Sequence, residues 1–306
     1  MAMELTEEMF QPVGKDRGDA QAIVRPSTTY WQDAWRRLKQ NKAAVAGLII
    51  ILLLTTMAAV GPMISGYTYD EQVLSRTNEP PTGEHWFGTE QLGRDLFTRV
   101  WWGARVSLFI GFATAFIVMV IGVTYGGISG YLGGWVDEIM MRVVEILYSV
   151  PFLLYVILLM MIMEPGLKTI LIALGAVYWL PMARVVRGQV LSLKEQEFVL
   201  AARALGASPW RIIFRHLIPN AMGPILVFTT LAIPEAIFTE AWLSFLGLGV
   251  SAPFASWGSL ADDGIKAVRS YPWELFFPAF FISMTILAFN IFGDGLRDAL
   301  DPRMRK

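Results

Sequence analysis

The chain contains no cysteine and only two histidines, His85 and His216, among its 306 residues. The absence of cysteine excludes disulfides, thiolate catalysis and cysteine-based metal sites, and two histidines leave little for a histidine-built metal centre. Charge is also scarce, because charged residues make up 17% of the chain, whereas a soluble domain carries about 25%. The net charge of −1 gives no indication of nucleic acid or acidic partners. The sequence also lacks a G-x-x-x-x-G-K-[ST] phosphate loop.

Apolar residues are abundant instead, at 55% of the chain. A bilayer core is crossed by about 20 apolar residues, and long uncharged runs recur along this sequence. They predict an all-α integral membrane protein with about six transmembrane helices. The predicted spans are 43–69, 106–136 (leaving the membrane near residue 129), 146–163, 169–183, 221–245 and 275–293.

A further uncharged run covers residues 241–261. It contains Gly247, Gly249 and Pro253 together with several serines, which favours an extracytoplasmic loop or a re-entrant segment over a span. The Glu-Pro-Gly sequence at 164–166 is a turn signal and predicts a tight helical hairpin between the third and fourth spans.

The distribution of positive charge predicts the orientation of the spans. With both termini cytoplasmic, 18 of the 25 lysines and arginines fall in segments that face the cytoplasm, in line with the positive-inside rule. The chain then divides into four predicted regions. They are a cytoplasmic polar tail (1–28), an amphipathic segment with the first span (29–65), an extracytoplasmic loop (66–105) and a membrane core (106–306) that includes a cytoplasmic loop at 188–220.

One polar segment, residues 197–220, interrupts the apolar core with the sequence EFVLAARALGASPWRIIFRHLIPN. Good helix formers precede Gly206, so a short helix is expected to end there. Ser208 and Pro209 favour a second helix start, with serine as the cap and proline in the first turn. The residues alone leave two equal alternatives for this segment. It is either an interfacial hairpin held by lipid headgroups or a surface that docks a partner protein.

The same segment resembles the coupling loop of ABC importer permeases. The family pattern is Glu-Ala-Ala, three residues, Gly, nine residues, Ile, any residue, Leu-Pro, and its Ala-Ala, Gly and Pro positions are met at residues 201, 202, 206 and 219. The positions of the pattern's Glu, Ile and Leu hold Leu200, His216 and Ile218 instead. The form AARALGAS resembles the dipeptide, oligopeptide and nickel branch of these importers. Further stretches similar to that branch follow in the same order at 35–48, 87–108, 240–264 and 289–305.

This resemblance implies a type I ABC importer permease fold and a C-type permease subunit of a peptide uptake system in a bacterial or archaeal cytoplasmic membrane. The implied partners are a second homologous permease, two cytoplasmic ABC ATPases, an extracytoplasmic substrate-binding protein and the lipid bilayer, without nucleic acid. It implies no catalytic residue, metal or cofactor in this chain, since the ATPases bind ATP and magnesium. The implied ATPase-coupling residues are Ala201, Ala202, Arg203, Gly206, Ala207, Ser208 and Pro219.

Two groups of charged residues are further candidates. Arg94, Asp95 and Arg99 form a charged stretch in the predicted outer loop, where they are candidates for docking the binding protein, with ordinary surface charge as the alternative. Glu235 and Glu240 lie within a predicted span, and a carboxylate there often marks a transport pathway or a buried pair. We treat both as candidates for the translocation pathway, with structural capping as the alternative for Glu240.

Other functions remain open on the sequence. The first alternative is an importer of nickel, glutathione, sugar or another small solute. A secondary transporter would be expected to carry inverted repeats or broken midplane helices, and no repeat is apparent. An intramembrane enzyme needs a catalytic set within the spans, which is not seen, and a non-transporting scaffold gives no reason for a glutamate inside a span.

Overall fold

The computed structural model describes residues 29–251 and 253–301, so the predicted tail at 1–28 lies outside the described residues. Within that part the regular elements are helices, apart from an isolated β-bridge between Thr89 and Asp95. Five of the described helices are long and apolar enough to cross a membrane, and a bent pair makes a sixth span if it is counted as one. The prediction of an all-α protein with about six spans is therefore confirmed.

The described chain begins with two helices, α1 (Tyr30–Gln40) and α2 (Lys42–Ile64), which are separated by Asn41 alone. Thr29 and Gln32 form a capping box that starts α1. Asn41 ends α1 in an extended conformation, and its side chain caps α2 by accepting a hydrogen bond from the Ala44 N–H at 3.2 Å. Because one residue joins them, α1 lies directly at the end of the first span.

The second long helix, α3, runs from Leu96 to Leu132 and includes one π turn. It begins earlier than the uncharged run at 106 because Asp95 caps it, accepting a hydrogen bond from the Thr98 N–H at 2.8 Å. Arg99 and Arg105 precede the uncharged run, yet both lie inside the helix, where the fold gives each a partner. Counting uncharged residues therefore placed the start of this helix too late.

The middle of the chain forms α4 (Gly134–Ser149), α5 (Phe152–Ile162) and α6 (Leu167–Leu193). The axes of α4 and α5 are bent by 81° at the break before Phe152, where Pro151 interrupts the helix. The predicted turn at 164–166 lies between α5 and α6. The latter helix continues ten residues past the predicted end at 183, because Arg187 is paired with Asp137 within the fold.

The last part contains α7 (Glu197–Ala204), α8 (Pro209–Ile212), α9 (Met222–Phe245), α10 (Trp257–Ala267) and α11 (Pro272–Leu300). The run at 241–261 consists of the end of α9, an irregular stretch and the start of α10. Since α10 has 11 residues, it is too short to span a bilayer. The predicted choice of a loop or re-entrant segment over a span agrees with this arrangement.

The two ends of the bundle contain different segments of the chain. Lys194 donates a hydrogen bond to the Gly130 carbonyl at 3.2 Å, so α7 lies at the end where α3 finishes, which we call the α7 end. Residues 66–95 precede the start of α3 and lie at the opposite end, which we call the far end. Helices α2, α3, α9 and α11 pack together between these ends and form most of the core.

Candidate functional site

The turn after α7 is built on Gly206, whose φ of +79° lies in the left-handed region. The Gly206 N–H donates to the Arg203 carbonyl at 2.9 Å, and the Ala207 N–H donates to the Ala202 carbonyl at 3.0 Å. These two bonds form a Schellman motif, which ends a helix and favours glycine at this position. Ser208 then accepts a hydrogen bond from the Arg211 N–H at 3.4 Å and starts α8. The predicted pair of short helices joined at Gly206 is therefore present.

The segment 197–220 exposes several large apolar side chains at the α7 end. Leu205 is 88% exposed, Trp210 is 59% exposed and Phe214 is 47% exposed. The rings of Trp210 and Phe214 stack with an interplanar angle of 14° and centroids 5.7 Å apart. Exposed apolar groups that lie together often mark an interaction site. Leu205, Trp210 and Phe214 are candidates for contact with a partner protein, and we refer to them as the docking surface.

The inner side of the same segment is anchored in the core. Val199, Ile212 and Leu217 have no exposed surface, so each short helix contributes a buried residue. The Arg203 guanidinium carbon lies 5.2 Å from the centre of the Tyr131 ring of α3, which adds a cation–π contact. The docking surface is therefore carried by a segment that is fixed to the membrane-spanning helices.

The implied coupling residues lie together but differ in exposure. Ala202 and Ala207 are partly buried against the core, and Arg203 is exposed while contacting Tyr131. The remaining four are exposed at the surface: Ala201, Gly206, Ser208 and Pro219. Their grouping is compatible with a docking role, and their contact with an ATPase stays a prediction.

An ion pair beside this segment was not singled out from the sequence. The Arg187 guanidinium of α6 donates two hydrogen bonds to the Asp137 carboxylate of α4, at 2.6 and 2.5 Å. The Ser129 hydroxyl of α3 donates to the same carboxylate at 2.5 Å. The pair therefore ties three helices together at the α7 end. The only signal in the sequence was that acids (Asp137 and Glu138) and arginines (Arg184 and Arg187) follow the ends of two apolar runs.

Glycines of α3 bring that helix close to α6. A Cβ atom on Gly126 would lie 2.3 Å from the Ala183 carbonyl oxygen, and one on Gly130 would lie 2.9 Å from the Arg187 carbonyl oxygen. Only glycine permits such a close approach of the two backbones. These glycines therefore pack against another helix of the same chain.

The outer charged stretch is buried at the far end. Arg94, Asp95 and Arg99 are 8%, 3% and 3% exposed. The Glu90 carboxylate binds both arginines, with its Oε2 atom 2.9 Å from the Arg99 Nε atom. Arg99 also donates to the Tyr69 carbonyl at 2.9 Å. These contacts favour a role in holding the loop together, and docking of a binding protein at these residues stays a prediction.

His85 is a further buried polar residue that connects parts of this loop. Its Nε2 atom lies 3.2 Å from Arg76 and its Nδ1 atom lies 2.9 Å from the Asp95 carboxylate. Because a guanidinium can only donate, Nε2 accepts and Nδ1 donates to Asp95. The hydrogen bond from Arg76 to Glu84 also lowers the pKa of the Glu84 carboxyl below its ordinary value. The loop is therefore an ordered polar cap on the bundle.

The two glutamates of α9 lie in opposite environments. Glu235 is exposed on the helix face that also presents Phe238 and Trp242. Glu240 has no exposed surface and accepts hydrogen bonds from Ser256 at 2.5 Å and Ser244 at 2.8 Å, with the Ser107 hydroxyl 3.4 Å away. The structure therefore leaves Glu235 open to a ligand or a partner chain, whereas Glu240 joins α3, α9 and the start of α10. Neither placement tests whether they contact the transported solute.

Among residues 29–251 and 253–301, no three His, Asp or Glu side chains are grouped in a way that could hold a metal ion. A concave region with a volume of about 900 Å³ lies at the far end. It is formed by one face of α3, the 163–169 turn and residues 250–254, including Trp102, Arg105 and Lys168.

The described residues form a bundle of helices long and apolar enough to span a membrane, with exposed apolar side chains at its α7 end. The family described as the binding-protein-dependent transport system inner membrane component matches residues 122–306, and the N-terminal TM domain of oligopeptide transport permease C matches residues 29–81. The chain therefore belongs to the family of binding-protein-dependent ABC importer permeases and is a multi-pass protein of the inner membrane.

Several curated relatives match almost the whole chain. The dipeptide transport system permease protein DppC of Bacillus subtilis is 55% identical over 99% of this chain and 95% of its own length. The oligopeptide transport system permease protein OppC of the same organism is 55% identical over 99% of both chains. OppC of Haemophilus influenzae is 45% identical over 98% of this chain and all of its own length.

A solved structure has the same fold. The MetNI methionine ABC transporter, in an inward-facing conformation, aligns with a TM-score of 0.52 and 17% sequence identity. The alignment covers 64% of this chain and 94% of that chain. The predicted ABC importer permease fold is therefore confirmed, while this likeness carries no information on the solute.

Proposed function

We propose that this chain is the C-type permease of an ATP-driven peptide importer and forms one half of its translocation pathway. The similarity to dipeptide and oligopeptide permeases over almost their whole lengths supports peptides as the solute. A second homologous permease would supply the other half of the pathway. Two cytoplasmic ABC ATPases would bind ATP and magnesium, and an extracytoplasmic binding protein would deliver the peptide, so this chain itself would carry no catalytic residue.

The single observation that supports coupling through residues 197–220 is the contrast between the two sides of this segment. Leu205, Trp210 and Phe214 are exposed, while Val199, Ile212 and Leu217 are completely buried. An ATPase that binds the exposed side would therefore move the buried side with it. Since ATP binding must favour one state of the pathway over another to drive transport, such an anchored contact suits the transfer of ATPase closure to the spans.

Glu235 is the residue that we assign to the pathway. Its carboxylate is exposed on α9 amid aromatic side chains, and a charge in a membrane helix is costly unless it has a partner or faces a water-filled path. A carboxylate in that setting would attract the ammonium group at a peptide N-terminus. Substitution of Glu235 by Gln is expected to lower peptide transport while the assembled complex stays intact.

The coupling role is tested by purifying the complex with Leu205→Asp. This side chain is the most exposed member of the docking surface, so a charge there should leave the fold intact while disfavouring an apolar contact. We expect the variant to lose the co-expressed ATPase subunits during purification, together with peptide-stimulated ATP hydrolysis.

Leu74→Asp is the matched control, because Leu74 is a leucine 69% exposed at the far end. It should retain the ATPases at the wild-type ratio. Retention of both ATPases and stimulated hydrolysis by Leu205→Asp would exclude the docking surface as the coupling contact.

A further inference from the structure

The exposed face of α1 carries aromatic and cationic groups next to each other. Trp31 and Trp35 lie one helical turn apart and are 49% and 52% exposed. The Lys39 ammonium, a further turn along, lies 5.0 Å from the centre of the Trp35 ring. Arg36 is adjacent on the helix, and 65% of its side chain is exposed. Arg36 also pairs with Asp33 at 2.9 Å. This face therefore combines large apolar rings with exposed positive charge.

The other face of α1 is fixed to the bundle. Ala34 and Leu38 are buried against the ends of α2, α9 and α11. The Tyr30 hydroxyl donates a hydrogen bond to the Leu300 carbonyl oxygen at 2.9 Å. Because these contacts fix the rotation of α1 about its axis, the tryptophan face has a defined direction away from the bundle.

The position of α1 places that face at the membrane surface. Asn41 alone separates α1 from α2, which has no charged residue after Lys42 and is long and apolar enough to cross a bilayer. Residues 29–42 contain two lysines and two arginines but one acid, Asp33. Tryptophan rings favour the interface between lipid and water, and basic residues near a span attract anionic headgroups.

We propose that α1 lies in the bilayer interface and binds anionic phospholipids. Trp31 and Trp35 insert beside the upper parts of the acyl chains, while Arg36 and Lys39 contact the headgroup phosphates. The excess of positive charge indicates a negatively charged lipid, and the two exposed rings beside it indicate a lipid surface instead of a soluble anion. Bound lipid would hold α1 against the ends of α2 and α11.

The absence of cysteine allows a direct test, because one introduced cysteine is unique in the chain. Nitroxide labels would be attached to the full chain at Trp31→Cys, Trp35→Cys and, as a control, Gln40→Cys, which lies on the other side of α1. The labelled protein would be placed in nanodiscs of phosphatidylcholine with or without phosphatidylglycerol. Relaxation by oxygen reports exposure to lipid, and relaxation by a water-soluble nickel chelate reports exposure to water.

We expect the labels at positions 31 and 35 to be accessible to oxygen and protected from the nickel chelate, and the label at 40 to show the reverse. Phosphatidylglycerol should move the first two labels deeper, and the exposed-residue variant Arg36→Gln with Lys39→Gln should lose this shift. Equal access of the nickel chelate at all three positions would overturn the proposal. Protection from both reagents would also overturn it, because it would show that protein covers the face. Depth is measured without peptide or ATP, so the outcome is independent of the proposed transport function.

Discussion

At the scale of single residues, position on a helix decides the role of a side chain more than its type does. Glu235 and Glu240 lie five residues apart on α9 and share one chemistry, yet the first is exposed and the second has no exposed surface. A buried carboxylate is tolerated only when its oxygens accept hydrogen bonds. Hydroxyl groups from three serines meet this need for Glu240.

We expect Glu240→Gln to destabilise the protein by about 1–3 kcal/mol, because the amide places a donor group among hydroxyls that now donate to a carboxylate. The measurement is the midpoint of thermal unfolding of the purified complex in detergent. Glu235→Gln is the control on the same helix and should leave the midpoint unchanged. An equal loss in both variants would contradict the structural role assigned to Glu240.

Gly126 lies where the backbones of α3 and α6 approach each other closely. Alanine at this position puts a Cβ atom 2.3 Å from the Ala183 carbonyl oxygen, so α3 and α6 must separate, at a cost of about 1–3 kcal/mol. The matched control is Gly188→Ala, where the same atom meets nothing within 4 Å. This change is expected to be neutral or to stabilise α6 by up to about 1 kcal/mol. Comparable unfolding midpoints for the two variants would be evidence against tight packing at Gly126.

At the scale of elements, α3, α4 and α6 form one unit beneath the docking surface. The ion pair between Asp137 and Arg187 joins α4 to α6, and Ser129 adds α3 through the same carboxylate. Only two residues separate the end of the Leu167–Leu193 helix from Gln196, which precedes α7. We therefore expect a displacement of α7 to move these three helices together.

A double-mutant cycle with Asp137→Asn and Arg187→Gln tests this connection. We expect a coupling energy of about 1–3 kcal/mol in unfolding experiments, within the range measured for residues in direct contact. We also expect each single variant to lower peptide-stimulated ATP hydrolysis more than basal hydrolysis, because the helices would follow α7 less closely. Strict additivity of the two single variants would show that the pair does not link α4 with α6.

The elements differ in how well the sequence predicts them. Turn chemistry at Gly206 and Ser208 is local, so the two short helices of the segment 197–220 were predicted correctly. The start of α3 was placed too late because Arg99 and Arg105 donate hydrogen bonds to the distant carbonyls of Tyr69 and Ala58. The sequence also did not predict that Glu235 is exposed and Glu240 is buried. Lipid and protein core are both apolar, so the hydrophobicity of neighbouring residues does not show which of the two a helix face contacts.

At the scale of the whole molecule, the two ends of the bundle are built differently. The far end is an ordered cap in which Glu90 holds Arg94 and Arg99, whereas the α7 end exposes Leu205, Trp210 and Phe214. This polarity suits a permease that meets a soluble binding protein on one side and ATPases on the other. The interfacial helix α1 adds a contact with the membrane itself at the α7 end.

Transport by the reconstituted complex tests the central claim most directly. The chain would be placed in liposomes together with its partner permease, ATPases and binding protein, and uptake of a labelled oligopeptide would be followed. We predict uptake that requires ATP on the side of the ATPases and stops when those subunits are left out. Peptide uptake by the permeases alone, driven by an ion gradient and unaffected by ATP, would contradict the account and identify a secondary transporter.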